Sequence, residues 1–407
     1  MSKINILVNP NDRAGTGKFR CIDPHVTLQN NHPEDFFVEI NQNIDFNNDE
    51  YLKKFQLFFF NRVPGNNFAQ AESIFDKIKS LGGKIILDLD DYWVLDKSHG
   101  LYHQAKEGKY SNVITNLIVK ADLVTVTTEI LQNEVFKYNK NCIVLSNAIN
   151  PKEKQFISKP TESDRLRFGW LGGSSHIKDL ELLKGIPQTS KKYIDDVQFV
   201  LCGFDKRGKM RMFNEDTKQW MERDLQPLET TWFMYEIFMT NHFRILEDDK
   251  EYLSYLTKFE PDDKYDDKDK PYRRIWTKSI EKYAEGYNNF DVALVPLSDN
   301  SFNKYKSQLK IIEAGFHKKA VIAQNYGPYT LDLISAVNKG GSINDDGNSL
   351  LVETSKNHKQ WSKHVDRLVK NPNMVSDLGE KLYETVKDKY DINNVTKIRA
   401  ELYKTLF

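Results

Sequence analysis

The chain has little cysteine and no net charge, and each shortage excludes something. Three of its 407 residues are cysteine: Cys21, Cys142 and Cys202. No two stand at metal-ligand spacing, and an odd number makes a poor disulfide framework, so a reducing, cytoplasmic setting is expected. The 58 Lys and Arg balance 58 Asp and Glu, for a formal net charge of zero. A basic field over the whole molecule, the footprint of a non-specific nucleic-acid binder, is therefore absent, although a local patch stays open. Long hydrophobic runs are missing too: no stretch approaches the roughly 20 apolar residues of a membrane span. Met1-Ser2-Lys3-Ile4-Asn5 reads as a first β-strand and not as a signal peptide. Peripheral contact with the inner face of a membrane stays compatible with all of this.

What is present is an α/β rhythm in two halves, as expected for a length beyond what one core usually organises. Short β-branched or aromatic runs predict strands at Ile4–Val8, Phe36–Ile40, Gln56–Phe60, Lys84–Leu89, Leu123–Thr127 and Cys142–Leu145. Ala69–Ser80 and Thr128–Tyr138 carry helical spacing between them. The polar stretch Lys152–Asp164 reads as a linker, after which the rhythm restarts. Arg167–Leu171, Val197–Leu201, Val292–Val295 and Ala320–Ala323 read as strands, and His176–Leu183 as a helix. This predicts a first Rossmann-like domain over 1–150 and a second over 164–385. An insertion at about 205–289, part helix and part loop, interrupts the second, and its acidic run Asp262–Asp269 reads as a solvated loop. Such strand–helix alternation implies parallel sheets, and two doubly wound domains would face each other across a ligand cleft.

Four stretches are candidates for chemistry. Phe168–Asp179 runs from a strand through Gly172-Gly173-Ser174-Ser175 into a helix. Its glycines could let backbone N–H groups approach a phosphate, or its serines could simply cap the helix. In Ser301–Gly315, Lys306, Lys310 and Glu313 fall at i, i+4 and i+7, on one face of a helix. Two lysines there could stabilise a diphosphate and Glu313 could accept ribose hydroxyls, or the face could be solvated. Gly15 and Gly17 follow the first strand, in a ligand loop or a plain turn. Asp88-Leu89-Asp90-Asp91 ends a strand; its carboxylates could bind acceptor hydroxyls or cap a helix, and no metal site is expected. His99 and His103 follow it, each with a catalytic and a structural reading.

Taken together, Phe168–Leu183, Val197–Phe204, Asp291–Leu297, Phe302–Gly315 and Val321–Tyr329 resemble GT-B glycosyltransferases of the large retaining "group 1" superfamily. The insertion, with Tyr272-Arg273-Arg274-Ile275-Trp276-Thr277, resembles a subgroup associated with Bacteroidetes-type bacteria and phages. The resemblance implies a nucleoside-diphosphate sugar donor, held by Gly172, Gly173, Ser174, Lys306, Ser307 and Lys310, with no cofactor required. Glu313 matches the second Glu of the family's Glu-x7-Glu motif, which binds ribose, whereas the first position is Tyr305. Gly15 and Gly17 match the first-loop glycines near diphosphate and acceptor, and His99 is the nearest match to a first-domain histidine near the donor sugar. The final helix, over 386–407, is implied to cross back to the first domain.

The activity implied is sugar transfer to a saccharide or lipid-linked saccharide in polysaccharide biosynthesis, without a metal and with retention. It would take place in the cytoplasm, or in a host cytoplasm if the gene is a phage's. Three alternatives stand beside it: a phage transferase acting on hydroxymethylated DNA, a non-catalytic nucleotide-sugar-binding module, and an epimerase that turns over its donor with no acceptor.

Overall fold

The computed structural model describes residues 3–97, 99–205, 208–214, 216–217, 219–226, 229–240, 254, 267–353 and 358–407. It divides into two compact units. The first comprises Met1–Pro151, Asp299–Ile312 and Val386–Phe407; the second comprises Lys152–Ser298 and Glu313–Thr385. The segment Asp299–Ile312, expected within the second domain, thus packs with the first.

The first unit is built on a six-stranded parallel sheet. Its strands are β1 (Ile4–Asn9), β2 (Phe36–Ile40), β3 (Leu57–Asn61), β4 (Lys84–Leu89), β5 (Leu123–Val126) and β6 (Cys142–Val144). They lie in the order β2-β1-β3-β4-β5-β6. Every residue of β3 is buried, as a central strand covered on both faces requires. The period of two divides its phenylalanines. Phe58 and Phe60 pack with Phe75 and Leu117, from helices Ala71–Ser80 and Tyr110–Lys120. Leu57 and Phe59 pack with Leu28 and Tyr403, from helices Asp23–Asn31 and Ile392–Lys404. The last helix is fixed there by Tyr403 Oη against His25 Nε2 at 2.9 Å and by Lys404 to Asp35 at 2.9 Å.

The second unit repeats the plan. Its strands are β7 (Leu166–Leu171), β8 (Val197–Phe204), β11 (Tyr272–Trp276), β12 (Val292–Val295), β13 (Ala320–Gln324) and β14 (Leu350–Val352). They form a parallel sheet in the order β11-β8-β7-β12-β13-β14. An antiparallel hairpin, β9 (Lys209–Asn214) and β10 (Gln219–Asp224), stands apart from it. The core holds Trp170, Phe204, Trp232, Tyr235 and Trp361.

The insertion differs from the helix-and-loop expectation. It supplies the hairpin, the helix Thr231–Thr240 and the edge strand β11, which pairs with β8 from Tyr272↔Phe199 onward. The acidic run lies outside the described residues up to 266. Its Asp267 is not solvated: it is buried and accepts from the Arg274 backbone N–H at 3.0 Å and from Arg273 Nε at 3.3 Å. The expected helix His176–Leu183 is shorter, an α-turn Ile177–Leu180 continuing as a 3₁₀ turn Glu181–Leu183. Among the described residues no helix is long and apolar enough to cross a membrane.

Candidate functional site

In the first unit, strand order reverses at β1, which has β2 on one side and β3 on the other. Ligand crevices of open α/β sheets form beyond the carboxyl ends of strands at such a point. The loop after β1 is shaped by Asp12, whose Oδ1 accepts from the backbone N–H of Ala14 at 2.9 Å and of Gly17 at 3.0 Å. A Cβ on Gly17 would lie 1.9 Å from the Asp12 carbonyl oxygen, so the loop itself requires this glycine; one on Gly15 would meet nothing within 4 Å. The chain then enters a π-helical turn, Gly17–Ile22, and Thr16 Oγ1 donates to Asp90 Oδ2 at 2.9 Å.

The carboxylates at the end of β4 and just beyond it are engaged within the protein. Asp88 receives Arg20 through both oxygens, at 3.0 and 2.6 Å, and also Asn61 at 3.0 Å and Thr125 at 2.7 Å. Arg20 reaches on to the Leu145 carbonyl at 2.6 Å and to Asn147 Oδ1 at 3.2 Å. Asn147 in turn donates to Ser307 Oγ at 2.9 Å. Arg62 donates to Asp90 at 3.0 Å and Asp91 at 3.2 Å. Desolvation opposes ionisation of Asp90, yet Arg62 and Thr16 hold its carboxyl below the usual range. Desolvation and the adjacent Asp90 charge push Asp91 the other way, against Arg62 and Lys306.

Lys306 and His99 come together in this unit. The Lys306 ammonium lies 5.2 Å from the Phe302 ring centre, and the His99 ring lies 4.6 Å from the same ring. His99 Nδ1 accepts from the Leu101 backbone N–H at 3.1 Å. Lys306 is not on the helix expected for it. A short turn, Ser301–Lys304, is followed by an irregular stretch, and the helix proper is Leu309–Phe316, with Lys310 as its second residue. Tyr305 packs on Tyr92 at 4.4 Å and donates to Glu134 at 3.0 Å. Burial and Glu134 push its hydroxyl up to about 12.

In the second unit the order reverses at β7, flanked by β8 and β12. Gly173, Ser174 and Ser175 are exposed just beyond β7, and a Cβ on Gly173 would meet nothing within 4 Å. Gly203, at φ +91°, lets β8 pass beneath them: a Cβ there would fall 2.3 Å from the Gly172 carbonyl oxygen. The loop is tied down by side chains that spacing alone did not single out. Tyr235 Oη accepts from the His176 backbone N–H at 2.8 Å and donates to the Gly173 carbonyl at 3.4 Å. His176 Nδ1 meets Asp179 Oδ2 at 2.8 Å, while Asp179 Oδ1 accepts from Ser298 N and Oγ at 2.8 and 2.7 Å. The i, i+3 spacing of His176 and Asp179 was the available signal. Glu313 is buried, and its two oxygens accept from the hydroxyls of Tyr283 and Tyr287. Burial and the Glu313 charge raise both phenols well above their usual range. Among the described residues no group of three or more His, Cys, Asp or Glu side chains is placed to hold a metal ion.

The sequence matches no protein-family model and no curated protein. Solved structures match over the whole chain. Anabaena HepE, in complex with UDP and glucose, is 12% identical, with a TM-score of 0.61 and 100% of each chain covered. Thermosynechococcus elongatus sucrose-phosphate synthase is 12% identical, with a TM-score of 0.64, covering 100% of this chain and 99% of that one. A Rickettsia africae glycosyltransferase is 13% identical, with a TM-score of 0.58 and the same two coverages, 100% and 99%. The chain therefore has the two-unit α/β fold of the GT-B glycosyltransferases.

Proposed function

We propose that the protein is a glycosyltransferase, moving a sugar from a nucleoside-diphosphate sugar to a saccharide or lipid-linked saccharide. The observation that carries this reading is the exposed Gly173–Ser175 loop at the strand-order reversal of the second sheet. It belongs to a fold shared with a protein solved in complex with UDP and glucose. Gly173 and Ser174 would offer backbone N–H groups to the diphosphate, while Gly172, whose N–H is given to the Cys202 carbonyl at 3.3 Å, would hold the loop against β8. Glu313 would take the ribose. Its carboxylate is held by the hydroxyls of Tyr283 and Tyr287.

Lys306 and Lys310 would supply positive charge to the departing nucleoside diphosphate as the anomeric carbon gains oxocarbenium character, so the reading requires no divalent metal. Ser307, Gly15, Gly17 and His99 would complete the donor and acceptor contacts that the family resemblance implies, with retention of configuration. We place the reaction in polysaccharide synthesis in the cytoplasm, and the chain in the subgroup that its Tyr272–Thr277 motif resembles.

Thermal shifts with UDP, GDP, ADP and their sugars, followed by mass analysis of products on saccharide acceptors, test this. Stabilisation by one base class and transfer to a saccharide are expected. Submicromolar duplex-DNA binding that falls steeply with salt, together with transfer to hydroxymethylated DNA, would move the acceptor to DNA. Turnover of the donor without any acceptor would make the protein an epimerase.

A further inference from the structure

The last helix of the first unit, Ile392–Lys404, buries an arginine whose charge nothing nearby balances. Arg399 is 1% exposed, and among the described residues its side chain makes one hydrogen bond, from Nη1 to Tyr403 Oη at 2.9 Å. Its Nε is buried without an acceptor, and among the described residues no carboxylate pairs with it. The hydroxyl of Thr396, three residues earlier on the same helix face, is buried and unpartnered too. Tyr403 gives only an oxygen lone pair and a ring, whose centre is 5.8 Å from the guanidinium carbon. His25 cannot supply an anion: its Nδ1 lies 2.7 Å from the Cys21 carbonyl, which only accepts, so Nδ1 bears the proton. Nε2 then accepts from Tyr403 Oη, and burial keeps the ring neutral, its pKa well below the usual range. The other charges of this region are matched. Arg20 is spent on Asp88, the Leu145 carbonyl and Asn147, and Arg62 faces Asp90 and Asp91.

We infer that Arg399 and Thr396 bind a small monovalent anion of chloride's class inside the first unit. The anion accepts from the open N–H edge of the guanidinium and from the Thr396 hydroxyl, which has a proton to give. A water molecule could take the same hydrogen bonds, but it would leave the charge uncompensated at a depth where an isolated ion is far costlier than an unmade neutral bond. One positive charge calls for one negative charge, which disfavours a dianionic phosphate. The Arg399 charge acts on both the Cys21 thiol and the His25 ring, so the site lies against the π-helical turn Gly17–Ile22 and the helix Asp23–Asn31. An anion there fastens the last helix to the first. It is separate from the donor site proposed above, which is in the second unit.

The test is thermal unfolding of the full chain as sodium chloride replaces sodium gluconate at constant ionic strength. Gluconate is too bulky for a buried site, and the fixed ionic strength holds general screening constant. The wild type gains Tm with chloride along a curve that saturates, as mass action at one site requires. Arg399→Met, which keeps the length of the side chain and removes the charge, melts at the same temperature in both salts. Thr396→Val keeps the arginine and the shape of the hydroxyl's site, and moves the half-saturating chloride concentration up by roughly tenfold, the loss of one hydrogen bond to an ion. A wild-type Tm indifferent to chloride would mean that water fills the site and would overturn the inference. So would a chloride response that survives intact in Arg399→Met. If Arg399→Met does not fold, Thr396→Val decides: an unchanged half-saturation point overturns the assignment, and a raised one upholds it.

Discussion

Lys319, the residue before β13, is buried in the second unit, and burial together with nearby Arg167 lowers its ammonium to about 8 despite Asp291. Below that pH the folded and unfolded chains both carry the charge, and the whole cost of burying it is felt. Between about 8 and 10.5 the folded chain loses its proton first, so the unfolded state binds more protons and stability rises with pH. Denaturant melts at pH 7.5 and 10 should show wild type gaining on Lys319→Met, by ~3 kcal/mol at most; equal slopes would mean that the lysine is solvated. Glu313 makes the opposite case of a buried charge well supplied with donors. Glu313→Ala leaves the Tyr283 and Tyr287 hydroxyls without their acceptor and should cost about 2–4 kcal/mol of stability. A variant as stable as wild type would show that the tyrosines do not hold the carboxylate. In the proposed reaction Lys310 serves the chemical step. Negative charge grows on the leaving phosphate during cleavage, so a fixed cation gains strength in the transition state. Lys310→Ala should lower kcat by ~10²–10³ with a smaller change in KM. A raised KM with kcat intact would assign the lysine to uniform binding.

At the scale of elements, apolar strands were legible and charged ones were not. Lys84–Leu89 and Val292–Val295 have the predicted bounds because a parallel sheet buries both faces of its inner strands and selects continuous Val, Ile and Leu. Strand β11 broke that rule. It carries Arg273 and Arg274 at its centre, and Arg274 is buried only because Glu236 of helix Thr231–Thr240 receives it, with the Phe204 ring 4.0 Å from its guanidinium. A pair that distant in sequence leaves no periodic trace. Nor does anything in Ser301–Gly315, which has no internal Pro or Gly, announce that the helix starts only at Leu309. The His176–Asp179 pair was readable as a spacing, but its meaning depends on Ser298, more than a hundred residues away. The buried pair makes a prediction for the insertion. Glu236→Ala strands an arginine charge and should destabilise the second unit by ~3–5 kcal/mol. The hairpin should be dispensable, since the Leu225 N–H already bonds to the Gly208 carbonyl at 2.8 Å and a short join can replace what lies between. Thermal melts of both variants decide this; a hairpin deletion as damaging as Glu236→Ala would refute it.

At the scale of the molecule, each unit is one six-stranded parallel sheet whose order reverses at its first strand. Two Rossmann-like sheets were visible in the strand–helix rhythm. The assignment of Asp299–Ile312 to the first unit was not, because that division rests on packing and the chain crosses it within one helix, Leu309–Phe316. The same segment carries both lysines given to catalysis, so the account stands or falls on donor turnover. The direct measurement is release of nucleoside diphosphate from a panel of UDP-, GDP- and ADP-sugars, with saccharide acceptors present, with and without EDTA. The account predicts acceptor-dependent release from one base class, undiminished by EDTA and reduced in Lys310→Ala. No release from any donor, or release abolished by EDTA and restored by magnesium or manganese, would contradict it.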